Sequence, residues 1–407
     1  MTILKGNDLL NKNQCNALRG LAIIGIFLHN FCHWLDSKYV VLENEYNFFM
    51  KNSNRMWEYL TGGNIDVYLP VQFFSFFRHY GVPVFLFLSG FGLVMKYESP
   101  GSEKSNAFQF IIYQWKKLFR LMILGLLVSL FVYAVYNSYY SHDWWGYFVA
   151  QIMLFINLLA HPAANIIPGP YWFFGLMMEV YVIYRLVIYP FHNKNAQWRW
   201  LRWFVPVSLI MITWIIQLPL NDKVTWLDQL LQIDKNQELL VQKASMLRYM
   251  RYNAVVAMLP FCAGVLVGRY GFPKLPKWVL AIGSVLALVL LMLANLNYYA
   301  WLWGPLLVII GSTCFVKLFQ ASSNTLQRHL DTIMKPLVWT GALSSCIFAV
   351  HSITRWPIFL EVLWKKDYVL SPTFYLWLLL YIALTLILAW GYQYYLKLYP
   401  KPKLRQS

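Results

Sequence analysis

Runs of about twenty apolar residues recur along this chain from residue 17 to residue 396, the length a helix needs to cross the hydrocarbon core of a bilayer. That repetition constrains the fold more than any single motif. Hydrophobic residues make up 59% of the chain and charged ones 13%, with a mean hydropathy of +0.47. These values describe an all-α, polytopic transmembrane helix bundle and leave no soluble domain over. Residues 1–16 are polar, and the first apolar run is too long for a signal peptide and lacks an A-x-A end, so it is expected to stay as an anchor.

The apolar runs fall at 17–35, 82–97, 115–136, 171–190, 203–219, 254–270, 278–297, 301–318, 338–354 and 372–396, with a shorter eleventh piece at 146–160. The 34 Lys and Arg against 17 Asp and Glu give a net charge of +17, but the basic residues sit in short clusters between apolar runs. Loop anchoring on the cytoplasmic side explains such clusters better than nucleic acid does. Lys96 to Arg120, Arg185 to Arg202, Arg269 to Lys277, Lys317 to Lys335 and Lys397 to Arg405 share one side only if 146–160 does not cross. The sequence therefore predicts about ten spans plus one re-entrant or interfacial helix at 146–160, with both termini cytoplasmic. Eleven crossings with one uncharged inner loop is the alternative. On this reading residues 1–16 are a cytoplasmic segment, 17–396 the membrane domain and 397–407 a basic cytoplasmic tail. Loops 37–81 and 220–252 then lie outside, either as plain connectors or where an extracytoplasmic substrate arrives.

Charged and titratable groups in hydrocarbon are costly and tend to mark a pathway or a reaction centre. The first span, ALRGLAIIGIFLHNFCHWL, carries Arg19 near one end and His29 inside it. His33 and Asp36 share a helical face with His29 by spacing, but a metal site needs further ligands that the sequence does not offer. Cys15, Cys32, Cys262, Cys314 and Cys346 are odd in number and scattered, so neither a disulfide framework nor a zinc site is expected. A neutral imidazole suits general-base chemistry. Glu179 and His351 are two further ionisable groups inside apolar runs, and the spacing leaves open whether Glu179 orients a histidine or forms a stabilising ion pair.

The first span resembles the opening span of the acyltransferase-3 family of integral-membrane acyl-CoA acyltransferases: a basic residue, small residues, aliphatics, then His. The segment at 81–97 is similar to the family's F-F-x-L-S-G-F stretch through Phe85, Phe87, Leu88, Ser89, Gly90 and Phe91. Trp115, Lys116, Lys117, Leu118, Phe119 and Arg120 match its basic run. GPYWFFGLMMEVYVIY at 169–184 is similar to its W-x-L…E…Y helix through Trp172, Glu179 and Tyr181, and 259–268 to its aromatic-Pro-Phe-x-x-x-Gly span. GALSSCIFAVHSITRWPI at 341–358 resembles a late S-x-x-x-[aromatic]-x-x-H span through Ser345, Phe348 and His351. Two departures stand out. Phe348 replaces a frequent Tyr, and Arg19 and His29 are ten positions apart where relatives place eleven, about 80° off a shared helical face.

The resemblance implies an O-acyltransferase that moves an acyl group, most simply acetyl, from cytoplasmic acyl-CoA to a hydroxyl of a cell-envelope or exported glycan or glycolipid across the inner membrane. His29, Glu179 and His351 are the expected catalytic residues. Arg19, Lys117 and Arg120 are expected to hold the donor, and Arg78, Ser89, Trp172 and Tyr181 the acceptor. No permanently bound cofactor and no metal is expected, and acyl-CoA enters as a substrate. A polytopic polysaccharide or lipid exporter without acyl transfer is the alternative from another class.

Overall fold

The computed structural model describes residues 9–32, 49–63, 65–77, 80–99, 105–135, 144–159, 166–193, 198–220, 249–319, 325–358 and 373–399, and all regular structure among them is helical. Helix α1 (Lys12–Cys32) opens the bundle; the short α2 (Phe49–Thr61) and α3 (Leu69–Phe76) precede α4 (Gly81–Tyr97), and α5 (Ala107–Val135) follows. Then come α6 (Trp144–Ile152), α7 (Trp172–Ile183) continued by a π-helical turn at Tyr184–Ile188, α8 (Leu201–Gln217), α9 (Ala254–Tyr270) and α10 (Lys277–Ala294). The single turn α11 (Tyr298–Trp301), α12 (Gly304–Leu318), α13 (Thr325–Ile358) and α14 (Thr373–Leu398) complete the fold.

Six stretches are long and apolar enough to cross a membrane: Lys12–Cys32, Gly169–Phe191, Leu201–Leu220, Lys277–Ala294, Met334–Arg355 and Thr373–Leu398. The bent pair α3–α4 passes the same test when taken together, and α9 and α12 are shorter apolar helices. Helix α5 carries Lys116, Lys117 and Arg120 in its first half and is apolar beyond them. Among the described residues these elements make an all-α polytopic bundle, as the sequence predicts.

Contacts between helix ends fix their alternation. At one end the finish of α4 meets the start of α5 through Lys96 and Tyr113, and meets the finish of α9 through Glu98 and Arg269. At the other end Tyr80, just before α4, exchanges hydrogen bonds with Asn295 after α10, and the Tyr298 hydroxyl donates to the Gln217 carbonyl at the finish of α8. Helices that enter and leave at these matching ends cross in opposite directions in turn.

The piece at 146–160 does not cross. Helix α6 has nine residues, about 13 Å of rise against the ~30 Å of a bilayer core. Beyond it Leu154 takes a positive φ of 64° and the chain turns through a short 3-10 segment at Ile156–Leu158. Irregular backbone at such a depth needs protein partners. Buried Gln151 donates to the Ile167 carbonyl at 2.8 Å and accepts from the Ile167 amide at 3.3 Å. Buried Asn157 donates to the carbonyls of Trp172, at 2.7 Å, and Tyr252. Trp115 Nε1 donates to the Ile152 carbonyl at 3.0 Å.

Helices α1 and α13 form the centre: 72% and 67% of their span windows are buried, against 17% for α8 and 22% each for α10 and α14. They run parallel with backbones in contact, Gly341 on Asn16 and Gly20 on Leu337, where any Cβ would collide with a main-chain oxygen. Parallel α4 and α9 meet the same way, Gly90 on Phe261 and Gly264 on Phe87. Such contacts suit a bilayer, where association depends on close packing because lipid supplies no hydrophobic drive between helices. Gly341→Val is therefore expected to lower thermal stability by at least about 1–3 kcal/mol. Gly92→Ala, with open space around its Cβ, leaves the melting temperature in detergent unchanged or slightly raised.

Candidate active site

The last turn of α1 holds the fully buried His29 and the buried Asn30. His29 Nδ1 lies 2.9 Å from the Phe74 carbonyl on α3. A carbonyl only accepts, so Nδ1 carries the hydrogen and Nε2 is the nitrogen of the neutral ring that takes up a proton. The parallel register of α1 and α13 brings Asn30 level with His351 and Arg355. Asn30 Nδ2 spends one hydrogen on the Ile26 carbonyl at 2.9 Å and the other on His351 Nε2 at 3.2 Å. His351 Nδ1 donates to the Phe348 carbonyl at 2.8 Å, so both ring nitrogens are engaged within the bundle. Arg355 donates to the Asn30 carbonyl, tying the two helix ends together.

Around this hub the packing is tight. Phe348 rests on Phe173 and Phe174, with centroids 5.1 and 5.5 Å apart. Where a tyrosine at 348 would bring a hydroxyl, Tyr171 supplies one nearby, donating to the Ala349 carbonyl at 2.9 Å. Tyr381 stacks on Phe31 at 4.8 Å and donates to the Phe27 carbonyl at 3.2 Å. A continuous polar passage to His29 is not formed among the described residues. The ring has no exposed surface, and neither cavity described for the chain includes it.

A second group gathers at the end of the bundle where α4 finishes and α5 starts. Arg19, half-buried on α1, donates to Asn16 Oδ1 at 3.2 Å. Lys117 has Arg19, Lys96 and Tyr113 within electrostatic reach. Lys96 Nζ donates to the Tyr113 hydroxyl at 3.2 Å and lies over the Tyr97 and Tyr113 rings at 5.0 and 4.6 Å. Tyr181 interacts with Ser89 and feels the Arg19 charge, while Ser89 Oγ donates to Met177 Sδ at 3.9 Å. Four helices, α1, α4, α5 and α7, thus bring Arg19, Lys117, Ser89 and Tyr181 into one neighbourhood. Arg19 lies about 15 Å of helix rise from His29, so the two do not act on one atom.

Other expected residues stand elsewhere. Arg120 donates to the carbonyls of Leu396 and, at 2.8 Å, Tyr399, and its own carbonyl accepts from Tyr392 at 2.9 Å. It holds the end of α14. Glu179 Oε2 accepts from the Ala254 amide at 2.8 Å and, with the Asn253 side chain on the Val255 amide, caps α9. Neither histidine is its partner among the described residues. Trp172 lines a cavity of about 100 Å³ at the opposite end of the bundle, together with Trp214, Trp301, Leu176, Pro260 and Arg251. Arg78, His33 and Asp36 lie outside the described residues.

The sequence alone did not single out Asn30 or the clasp between Glu98 and Arg269. Asn30 had a visible signal, an amide inside an apolar run beside His29. The clasp had none, because its partners are 171 positions apart. Arg269 reaches both Glu98 oxygens at 2.8 Å and also donates to the carbonyls of Arg202 at 2.5 Å and Ile188 at 3.2 Å. The Tyr184 hydroxyl, on the π-helical turn, donates to Glu98 at 3.0 Å.

An all-helical membrane bundle with a buried histidine pair on its central helices, and a cationic group at one end, defines a multi-pass membrane protein with intramembrane polar sites. A family model described as an acyltransferase domain matches residues 13–394, and the chain belongs to this acyltransferase-3 family. It is a membrane acyltransferase, which displaces the transport-only alternative. No curated protein and no solved structure matches it. Arg269→Met is expected to cost about 3–5 kcal/mol in thermal denaturation by stranding buried Glu98, and Glu98→Gln on top of it to recover part of that loss.

Proposed function

We propose that this chain takes an acyl group, most simply acetyl, from acyl-CoA and delivers it to a hydroxyl of a cell-envelope or exported glycan or glycolipid. The observation that carries this reading is the convergence of Arg19, Lys117, Ser89 and Tyr181 from four helices at the cationic end of a family acyltransferase. A guanidinium with an ammonium beside it matches the phosphates of a coenzyme A donor. The clustering of Lys96, Lys117, Arg120, Arg185 and Arg269 at the same end supports a cytoplasmic orientation for it, with both chain termini on that side of the inner membrane.

His29 is the base. Its Nε2 takes the proton of the acceptor hydroxyl as that oxygen attacks the thioester carbonyl, and the proton leaves with the coenzyme A thiol. Asn30, His351 and Arg355 set the pose of the α1 end that presents His29. The enclosed ring requires the short α3, whose Phe74 carbonyl it meets, to withdraw during turnover. Lys117 and Arg19 serve the donor; Arg120 and Glu179 serve the fold through α14 and α9.

Membranes supplied with labelled acetyl-CoA test this by the label that reaches glycan. His29→Ala is expected to abolish transfer with expression and melting temperature preserved, and undiminished transfer would refute the assignment. Arg19→Gln and Lys117→Met are expected to raise KM for acetyl-CoA about tenfold each, whereas Arg120→Gln lowers thermal stability.

A further inference from the structure

The cavity beside Trp172 is graded along the membrane normal. Its polar lining comes from helix ends: Tyr80 precedes α4, Gln217 closes α8, and Arg251 precedes the Asn253 cap of α9. Its deeper lining, Leu86, Leu176 and Ile210, lies between one and two turns inside α4, α7 and α8 and is apolar. Helix α8 forms one wall, and its other side, with Met211, Ile212, Ile215 and Ile216, is exposed. Hydrocarbon therefore stands one helix away.

Size selects the occupant. A dry cavity of roughly 150 Å³ takes benzene, so one of about 100 Å³ takes roughly four carbons, well short of a sugar ring with its hydroxyls. The few carbons of a lipid chain nearest its phosphate fit the apolar depth, and the Arg251 guanidinium at the rim, which also donates to the Tyr252 hydroxyl at 2.5 Å, complements an oxyanion one to two turns above it. We propose that this cavity seats the first few carbons of the chain of a lipid-borne acceptor, with the phosphate that links chain to head group lying against Arg251. The seat rests on the cavity alone; its role as the acceptor seat rests on the transfer reaction proposed above.

The full-length protein in nanodiscs, exposed to farnesyl phosphate carrying a diazirine on its first isoprene unit, tests the seat by peptide mapping after illumination. Label is expected on peptides containing Leu176, Ile210 and Trp214, and at least tenfold less of it on Val256→Trp, which fills the cavity. Val82→Trp is the second filler if the first lacks the wild-type melting temperature. Unlabelled farnesyl phosphate is expected to compete at least tenfold better than farnesol, a preference that Arg251→Gln removes. Label spread over lipid-facing helices, or unchanged by both fillers, overturns the seat, and equal competition by farnesol overturns the phosphate contact. With labelled acetyl-CoA, the fillers are expected to cut label in lipid-extractable material at least tenfold while coenzyme A still raises the melting temperature as in wild type. Undiminished transfer with lost photolabelling overturns the acceptor role. No transfer even by the unsubstituted protein that photolabels normally overturns the proposed reaction and leaves the seat standing.

Discussion

Backbone contact between α1 and α13 sets the register of everything polar at the centre of the bundle. With Gly341 against Asn16 and Gly20 against Leu337, the two helices advance together, and fourteen residues further on Asn30 faces Arg355 and His351. Lipid offers no water to groups at that depth, so each donor and acceptor must find a protein partner. The two hydrogens of the Asn30 amide and the two nitrogens of His351 meet that demand between themselves and nearby carbonyls, and one nitrogen of the Arg355 guanidinium donates to the Asn30 carbonyl. Shifting α13 by one turn would leave all three unmatched, which is why the glycine contact and the polar hub are one feature.

Arginines divide into those consumed by the fold and those left toward solvent. Arg120, Arg185, Arg269 and Arg355 all donate to main-chain carbonyls, and all four do so where a helix begins or ends. A guanidinium fork is suited to this work, since it supplies several donors without ever losing its charge. Lys117 differs in having other cations, Arg19 and Lys96, within electrostatic reach.

The sequence reveals the span pattern because hydropathy and length are local properties, and it reveals the non-crossing of 146–160 because loop charge has to balance across a membrane. The sequence separated Arg19 and Lys117, expected at the donor, from Ser89 and Tyr181, expected at the acceptor, so the neighbourhood that joins the four was not anticipated. Neither were hydrogen-bond partners. Nothing local tells that Arg120 turns to the end of α14, that Glu179 caps α9, or that His351 gives its basic nitrogen to Asn30, since each choice depends on which helices become neighbours. The enclosure of His29 was likewise invisible, because it depends on α3, a short helix outside the predicted spans.

Helices α4 and α9 are joined twice, by glycine contact at mid-depth and by the Glu98 to Arg269 pair at their finish, where Tyr184 and the carbonyls of Arg202 and Ile188 also attach. Two fixings at separate heights forbid both sliding and rotation between them. The pair consequently behaves as a stiff plank, and compliance for substrate entry has to be found in shorter members, of which the eight-residue α3, with its Phe74 carbonyl on the imidazole, is the nearest.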